Sequence, residues 1–125
     1  MFSAQLDFSG NAEEALKFYA KVFKHQLKDA DVYRNEDGTI LHSDIDVFGS
    51  KLMMADGASS SSFQGFSFAV NLTDEAEIRR IYLELSDGAE ISIPLGEVEF
   101  SKCYGALKDK FGVAWQVCLD YSESS

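Results

Sequence analysis

Residues 2–23 read FSAQLDFSGNAEEALKFYAKVF. The first part alternates. Phe2, Ala4, Leu6 and Phe8 fall on one side, and Ser3, Gln5 and Asp7 on the other. That is the period of a strand with one buried face. After Ser9-Gly10 the period lengthens, and Ala12, Ala15, Leu16, Tyr19, Val22 and Phe23 recur at helical spacing, with Glu13, Glu14, Lys17 and Lys21 outside the stripe. Asn11, followed three residues on by Glu14, reads as a capping-box start. A strand therefore feeds an amphipathic helix, and the helix packs on the strand's apolar face.

Further along, His25 to Arg34 reads as an edge strand, and Asn35-Glu36-Asp37-Gly38 as a turn. Thr39 to Val47 alternates, with Leu41, Ile45 and Val47 opposed to His42, Asp44 and Asp46. Lys51 to Ala55 is a short strand, and the serine-rich segment after it has no period. Then the pattern restarts. Phe66, Phe68, Val70 and Leu72 alternate with Ser67, Ala69 and Asn71. Thr73 is placed as an N-cap, and Ile78, Ile81, Tyr82 and Leu85 make a second helical stripe. Ala89 to Ile93 forms a strand ended by Pro94-Leu95-Gly96, and Val98 to Leu107 and Val113 to Tyr121 are two more.

Subtraction exposes a repeat. Phe2 and Phe66, Leu6 and Val70, and Ser9 and Thr73 differ by 64, whereas Tyr19 and Tyr82 differ by 63. Asp46-x-Phe48-Gly49 and Asp109-x-Phe111-Gly112 also differ by 63. Both halves read strand–helix–strand–strand–strand. The resulting organisation is one domain over 1–125, with module one at 1–56, a linker at 57–65 and module two at 66–121.

Composition narrows the function classes. A net charge of −10 argues against nucleic acid, whose phosphates require a basic surface. No apolar run approaches membrane-spanning length, and the N-terminus lacks a signal-peptide layout, so the expected compartment is the cytoplasm. With one proline in the chain, disorder is expected only at Ser122 to Ser125.

Two βαβββ modules resemble the vicinal oxygen chelate superfamily, which includes glyoxalase I, the bleomycin-resistance proteins and the extradiol dioxygenases. The resemblance is nearest to the PhnB-like branch. It rests on Phe8-Ser9-Gly10-Asn11-Ala12-Glu13-Glu14-Ala15, Phe18-Tyr19, Val22-Phe23, Leu41-His42, Gly49-Ser50-Lys51-Leu52-Met53, Tyr104-Gly105 and Asp109-Lys110-Phe111-Gly112-Val113-Ala114-Trp115. The chain departs from that branch at Lys24 (Gly there), Phe100-Ser101 (Trp-Gly) and Lys110 (Pro). The resemblance implies an α+β, glyoxalase-like fold whose curled mixed sheets enclose a cavity, with helices on the outer side. Phe2, Ala4, Leu6, Phe8, Phe66, Phe68, Val70 and Leu72 should meet those helices. It also implies a two-fold homodimer, with an interface above roughly 1,000 Å².

Superfamily enzymes hold a divalent metal by one His or Glu from the first and the last strand of each module. Carried onto this chain, those positions are Ser3 and Ser67 (or Gln5 and Ala69), with Met53 and Gln116. None is His, Asp or Glu, so no metal or other cofactor is expected. The ligand-binding candidates are Gln5, His42, Met53, Phe100, Tyr104 and Gln116, around a small apolar or aromatic molecule. A symmetric Asp46–Gly49 hairpin would set His42 opposite Met53, and Asp44 near Lys51. His42 there is either a general base or ligand partner, or a partly buried structural or interface histidine. The alternative function is a glyoxalase-type lyase, or another enzyme of the superfamily, with an atypical metal site or His42 as base. His25 reads as a helix-end cation. The same symmetry sets Cys103 opposite Cys118, both expected reduced, and turns Trp115 toward the helix side.

Overall fold

The computed structural model describes residues 2–120. Tyr121 and the serine-rich tail, Ser122 to Ser125, lie outside the described residues. The chain divides between Ser61 and Ser62 into two compact units. The first contains β1 (Ala4–Phe8), α1 (Ala12–Val22), a 3₁₀ turn (Asp29–Asp31), β2 (Val32–Arg34), β3 (Ile40–Val47) and β4 (Ser50–Asp56). The second contains β5 (Phe68–Leu72), α2 (Glu75–Leu85), β6 (Glu90–Val98), β7 (Ser101–Lys108) and β8 (Ala114–Leu119). The sheet orders are β1-β4-β3-β2 and β5-β8-β7-β6. In each sheet the first strand runs parallel to the last, and the other pairs are antiparallel. The fold is thus α+β, with βαβββ repeated once in two open mixed sheets.

Each helix buries its stripe on its own sheet. Ala12, Ala15, Leu16, Tyr19 and Val22 of α1 are buried, as are Leu6, Phe8, Ile45, Leu52 and Met54 of the strands. In the second unit Ile78, Ile81, Tyr82 and Leu85 are buried, with Val70, Leu107, Trp115 and Val117 of that sheet. Each large side chain removed from water in this way contributes about 1.5–3 kcal/mol.

Several local expectations are corrected. Phe2 precedes β1 and is 94% exposed, so it meets no helix, and Phe66 precedes β5, is 45% exposed and packs edge-on against Phe68. In the segment His25 to Arg34 only Val32–Arg34 is strand. The β2–β3 ladder shifts register between Tyr33 and Arg34, and beside that shift Ile40 is buried while Leu41 is exposed. Ser43 occupies a core position because its hydroxyl donates to the Met54 carbonyl at 2.6 Å. Pro94-Leu95-Gly96 does not end β6, which is an edge strand and absorbs them through irregular register.

The helix caps also differ. The Asn11 side chain makes no cap bond. Asp56, at the end of β4, accepts from Gly10 N (2.8 Å) and Ala12 N (3.0 Å) with one oxygen and from Ile40 N (2.9 Å) with the other. On α2 the cap is Asp74, not Thr73, and it accepts from Ala76 N and Glu77 N. At the end of α1, Lys24 takes φ 54°, a left-handed conformation that costs an L-residue about 1–2 kcal/mol. Replacing Lys24 by Gly should therefore raise stability by about 0.5–1 kcal/mol after the chain-entropy cost of glycine. Urea denaturation checks this, and an unchanged or lower midpoint would refute it.

His25 is not a free helix-end cation. Its Nδ1 accepts from Asp46 N (3.2 Å) and its Nε2 lies 3.0 Å from Asp31 Oδ2. The acceptor role at Nδ1 puts the proton on Nε2, and the ring ties the end of α1 to β3. The Asp31 carboxyl is held below its usual range, chiefly by this hydrogen bond.

Candidate functional site

Each sheet has a face turned away from its helix. In the first unit Gln5, Met53 and Asp44 lie side by side there, because Gln5 pairs with Met53 and Met53 with Asp44. Gln5 Nε2 donates to Asp7 Oδ1 at 2.8 Å. His42 is therefore not opposite Met53, and Asp44 is not opposite Lys51, which pairs with Asp46. The hairpin closes at Val47–Ser50, with Phe48 and Gly49 both at positive φ, a two-residue turn. That moves the register by two residues, so His42 keeps its face while its neighbours change. It pairs with Tyr33 on β2, ring centroids 6.2 Å apart, and its Nε2 lies 3.4 Å from Asp44 Oδ2. The imidazole is 41% exposed.

In the second unit the corresponding row is Ala69, Gln116 and Ala106. Gln116 sits at the centre of a polar chain. The Tyr104 hydroxyl donates to Gln116 Oε1 at 3.1 Å, and Gln116 Nε2 donates to Ser67 Oγ at 3.1 Å. Phe100 packs edge-on against Tyr104, with centroids 4.9 Å apart and planes at 76°. Phe100 is 64% exposed, so the pair offers an aromatic surface beside the polar chain.

The β7–β8 hairpin slips by one residue from the symmetric reading, and Cys118 pairs with Tyr104 instead of Cys103. A one-residue slip changes face. Cys103 is buried on the helix side, where burial pushes its thiol up, away from a reactive thiolate. Cys118 stands among the helix-free residues, and both cysteines are free thiols. Trp115 does lie on the helix side, as its parity implies, with its indole N–H donating to Asp109 Oδ2 at 2.8 Å.

The sequence-predicted residues thus form two groups, each within one unit. Gln5 and Met53 adjoin, with His42 farther along the same face; Phe100, Tyr104 and Gln116 touch in sequence. What the sequence reading missed is the bonding of Ser67 to Gln116. Among the described residues, no group of three or more His, Cys, Asp or Glu is arranged to hold a metal ion. At each helix N-terminus a carboxylate of this chain, Asp56 or Asp74, already accepts two backbone amides.

Residues 1–118 match the family described as 3-demethylubiquinone-9 3-methyltransferase. The chain belongs to that family. A solved structure described as a putative 3-demethylubiquinone-9 3-methyltransferase, PhnB protein, from Bacillus cereus is 30% identical, with TM-score 0.81 over 95% of this chain and 98% of that one. Protein PA1353 from Pseudomonas aeruginosa is 25% identical, with TM-score 0.84 over 98% of both chains. Protein YjdN of Escherichia coli K12 is 27% identical over 135 residues, covering 92% of each chain. The resemblance to the PhnB-like branch of the vicinal oxygen chelate superfamily therefore holds. No described helix is long and apolar enough to cross a membrane.

Proposed function

We propose that this PhnB-like chain binds a small, uncharged, apolar or aromatic molecule without a metal, as a cytoplasmic homodimer. The observation that carries the reading is the Tyr104–Gln116–Ser67 chain beside Phe100. Its side chains are neutral and already joined, so they suit a neutral polar group better than a phosphate. The donor chemistry supports the metal-free part. Ser3, Met53, Ser67 and Gln116 offer hydroxyl, thioether and amide groups, which do not fit a divalent transition ion that takes imidazole or carboxylate. In the first unit, taken by itself, Gln5, Met53 and His42 are the candidate ligand contacts on the helix-free face.

Purified protein, analysed for metals and by native mass spectrometry, should carry no stoichiometric zinc, nickel or iron. Titration with a panel of neutral aromatic compounds should give saturable binding. Tyr104→Phe, which removes the hydroxyl that holds Gln116, should weaken it by about 2- to 13-fold with little change in folding. One tightly held metal per chain, or equal affinity in the variant, would overturn the proposal. The His42–Asp44 pair favours a second reading, a lyase with His42 as base. His42→Gln would then abolish turnover while leaving ligand affinity nearly intact.

A further inference from the structure

In the first unit, α1, the 3₁₀ turn and β2 line a half-open cavity of about 440 Å³. This is within the volume range of small-molecule pockets, about 300–1,000 Å³. Leu16 lines it and is 2% exposed; Leu27 and Val32 add half-buried apolar surface. The remaining lining is charged: Lys17, Lys28 and Arg34 against Glu13 and Asp29, three cations to two acids. In a chain of net charge −10 that balance is locally reversed.

Glu13 and Asp31 are committed to partners. Arg34 holds both Glu13 oxygens, at 3.0 and 3.1 Å, and Lys17 Nζ lies 3.4 Å from the same carboxylate. Asp31, beside the cavity, takes His25 Nε2 and the Lys28 backbone N–H on one oxygen. The Arg34 guanidinium is further fixed by donating to the Gly38 carbonyl at 3.0 Å. An apolar wall next to three cations, two of which share the single carboxylate of Glu13, matches a ligand with an apolar body and one negative end.

We infer that this cavity binds a small amphipathic monocarboxylate, its apolar body against Leu27 and Val32 and its carboxylate among Lys17, Lys28 and Arg34. The site is separate from the Tyr104–Gln116–Ser67 chain and stands or falls independently of it.

Octanoate titrated into the ¹⁵N-labelled full chain tests this. Saturable amide shifts are expected around Leu27 to Val32, with a dissociation constant on the order of 1 mM or tighter. Lys17→Gln combined with Lys28→Gln should weaken binding about tenfold. Both side chains are exposed, so the variant should keep its circular dichroism spectrum. Octylamine, with the same chain and opposite charge, should give no saturable shifts. Absence of saturation with octanoate, equal binding of octylamine, or unchanged affinity in the folded double variant would each overturn the inference.

Discussion

Replacing Asp109 by Ala should destabilise the second unit by about 3–5 kcal/mol. Asp109 is 4% exposed. Its Oδ1 accepts from Phe111 N at 2.9 Å and Val113 N at 3.1 Å, and its Oδ2 from Trp115 Nε1 at 2.8 Å. Val113 is 0% and Trp115 3% exposed, so water cannot replace the lost acceptor without opening the core. Each buried donor left unpaired costs about 1–3 kcal/mol, and bonds to a charged acceptor lie at the upper end of hydrogen-bond strength. Against a total domain stability of about 5–15 kcal/mol that is a large fraction. Trp115 is the sole tryptophan, so its emission in urea reports on the site itself. A loss under about 1 kcal/mol would refute the argument.

Asp109 also explains why part of the molecule could be read from sequence and part could not. The offsets of 64 and 63 between Leu6 and Val70, and Tyr19 and Tyr82, identified two copies of one strand–helix unit. Burial periodicity alone dictates that each helix covers its sheet, so Leu6, Phe8, Val70 and both helical stripes were legible. Hairpin register was not. Asp46-x-Phe48-Gly49 and Asp109-x-Phe111-Gly112 are spelled alike but turn differently. The first closes over two residues at φ 52° and 88°, Phe48 and Gly49. The second closes over three, because the Asp109 carboxylate gathers the amides of Phe111 and Val113. The resulting slips are two residues and one, respectively. The first left His42 on its expected face with Tyr33 as neighbour; the second separated Cys103 from Cys118. The α1 cap failed for a related reason. Asp56 reaches Gly10 and Ala12 from far along the chain, and no local pattern encodes that. The Ser67–Gln116 bond is equally non-local, arising from the parallel pairing of β5 with β8.

Gly105→Ala should cost about 2–3 kcal/mol although one methyl group is added. Gly105 lies in β7 under a bulge of the edge strand. Ile93 pairs with Ala106 and Gly96 with Tyr104, so Pro94 and Leu95 together oppose Gly105 alone. The extra residue brings the β6 backbone down onto β7, and a Cβ at Gly105 would stand 3.2 Å from Leu95 Cα. It would also stand 2.6 Å from Cε2 of Tyr82. That ring cannot easily retreat. Tyr82 is 9% exposed in the α2 stripe, and its hydroxyl donates to the Ile93 carbonyl at 3.0 Å. Ring, bulge and glycine thus form one interlocked contact, and glycine is required for close approach, not for its backbone angles. Tyr82→Leu removes the ring at its own cost, and in that background Gly105→Ala should lose less than half its effect, a coupling of at least about 1 kcal/mol. Denaturation of both single variants and the double variant measures it. Equal costs of Gly105→Ala in the two backgrounds would show that the ring does not carry the clash.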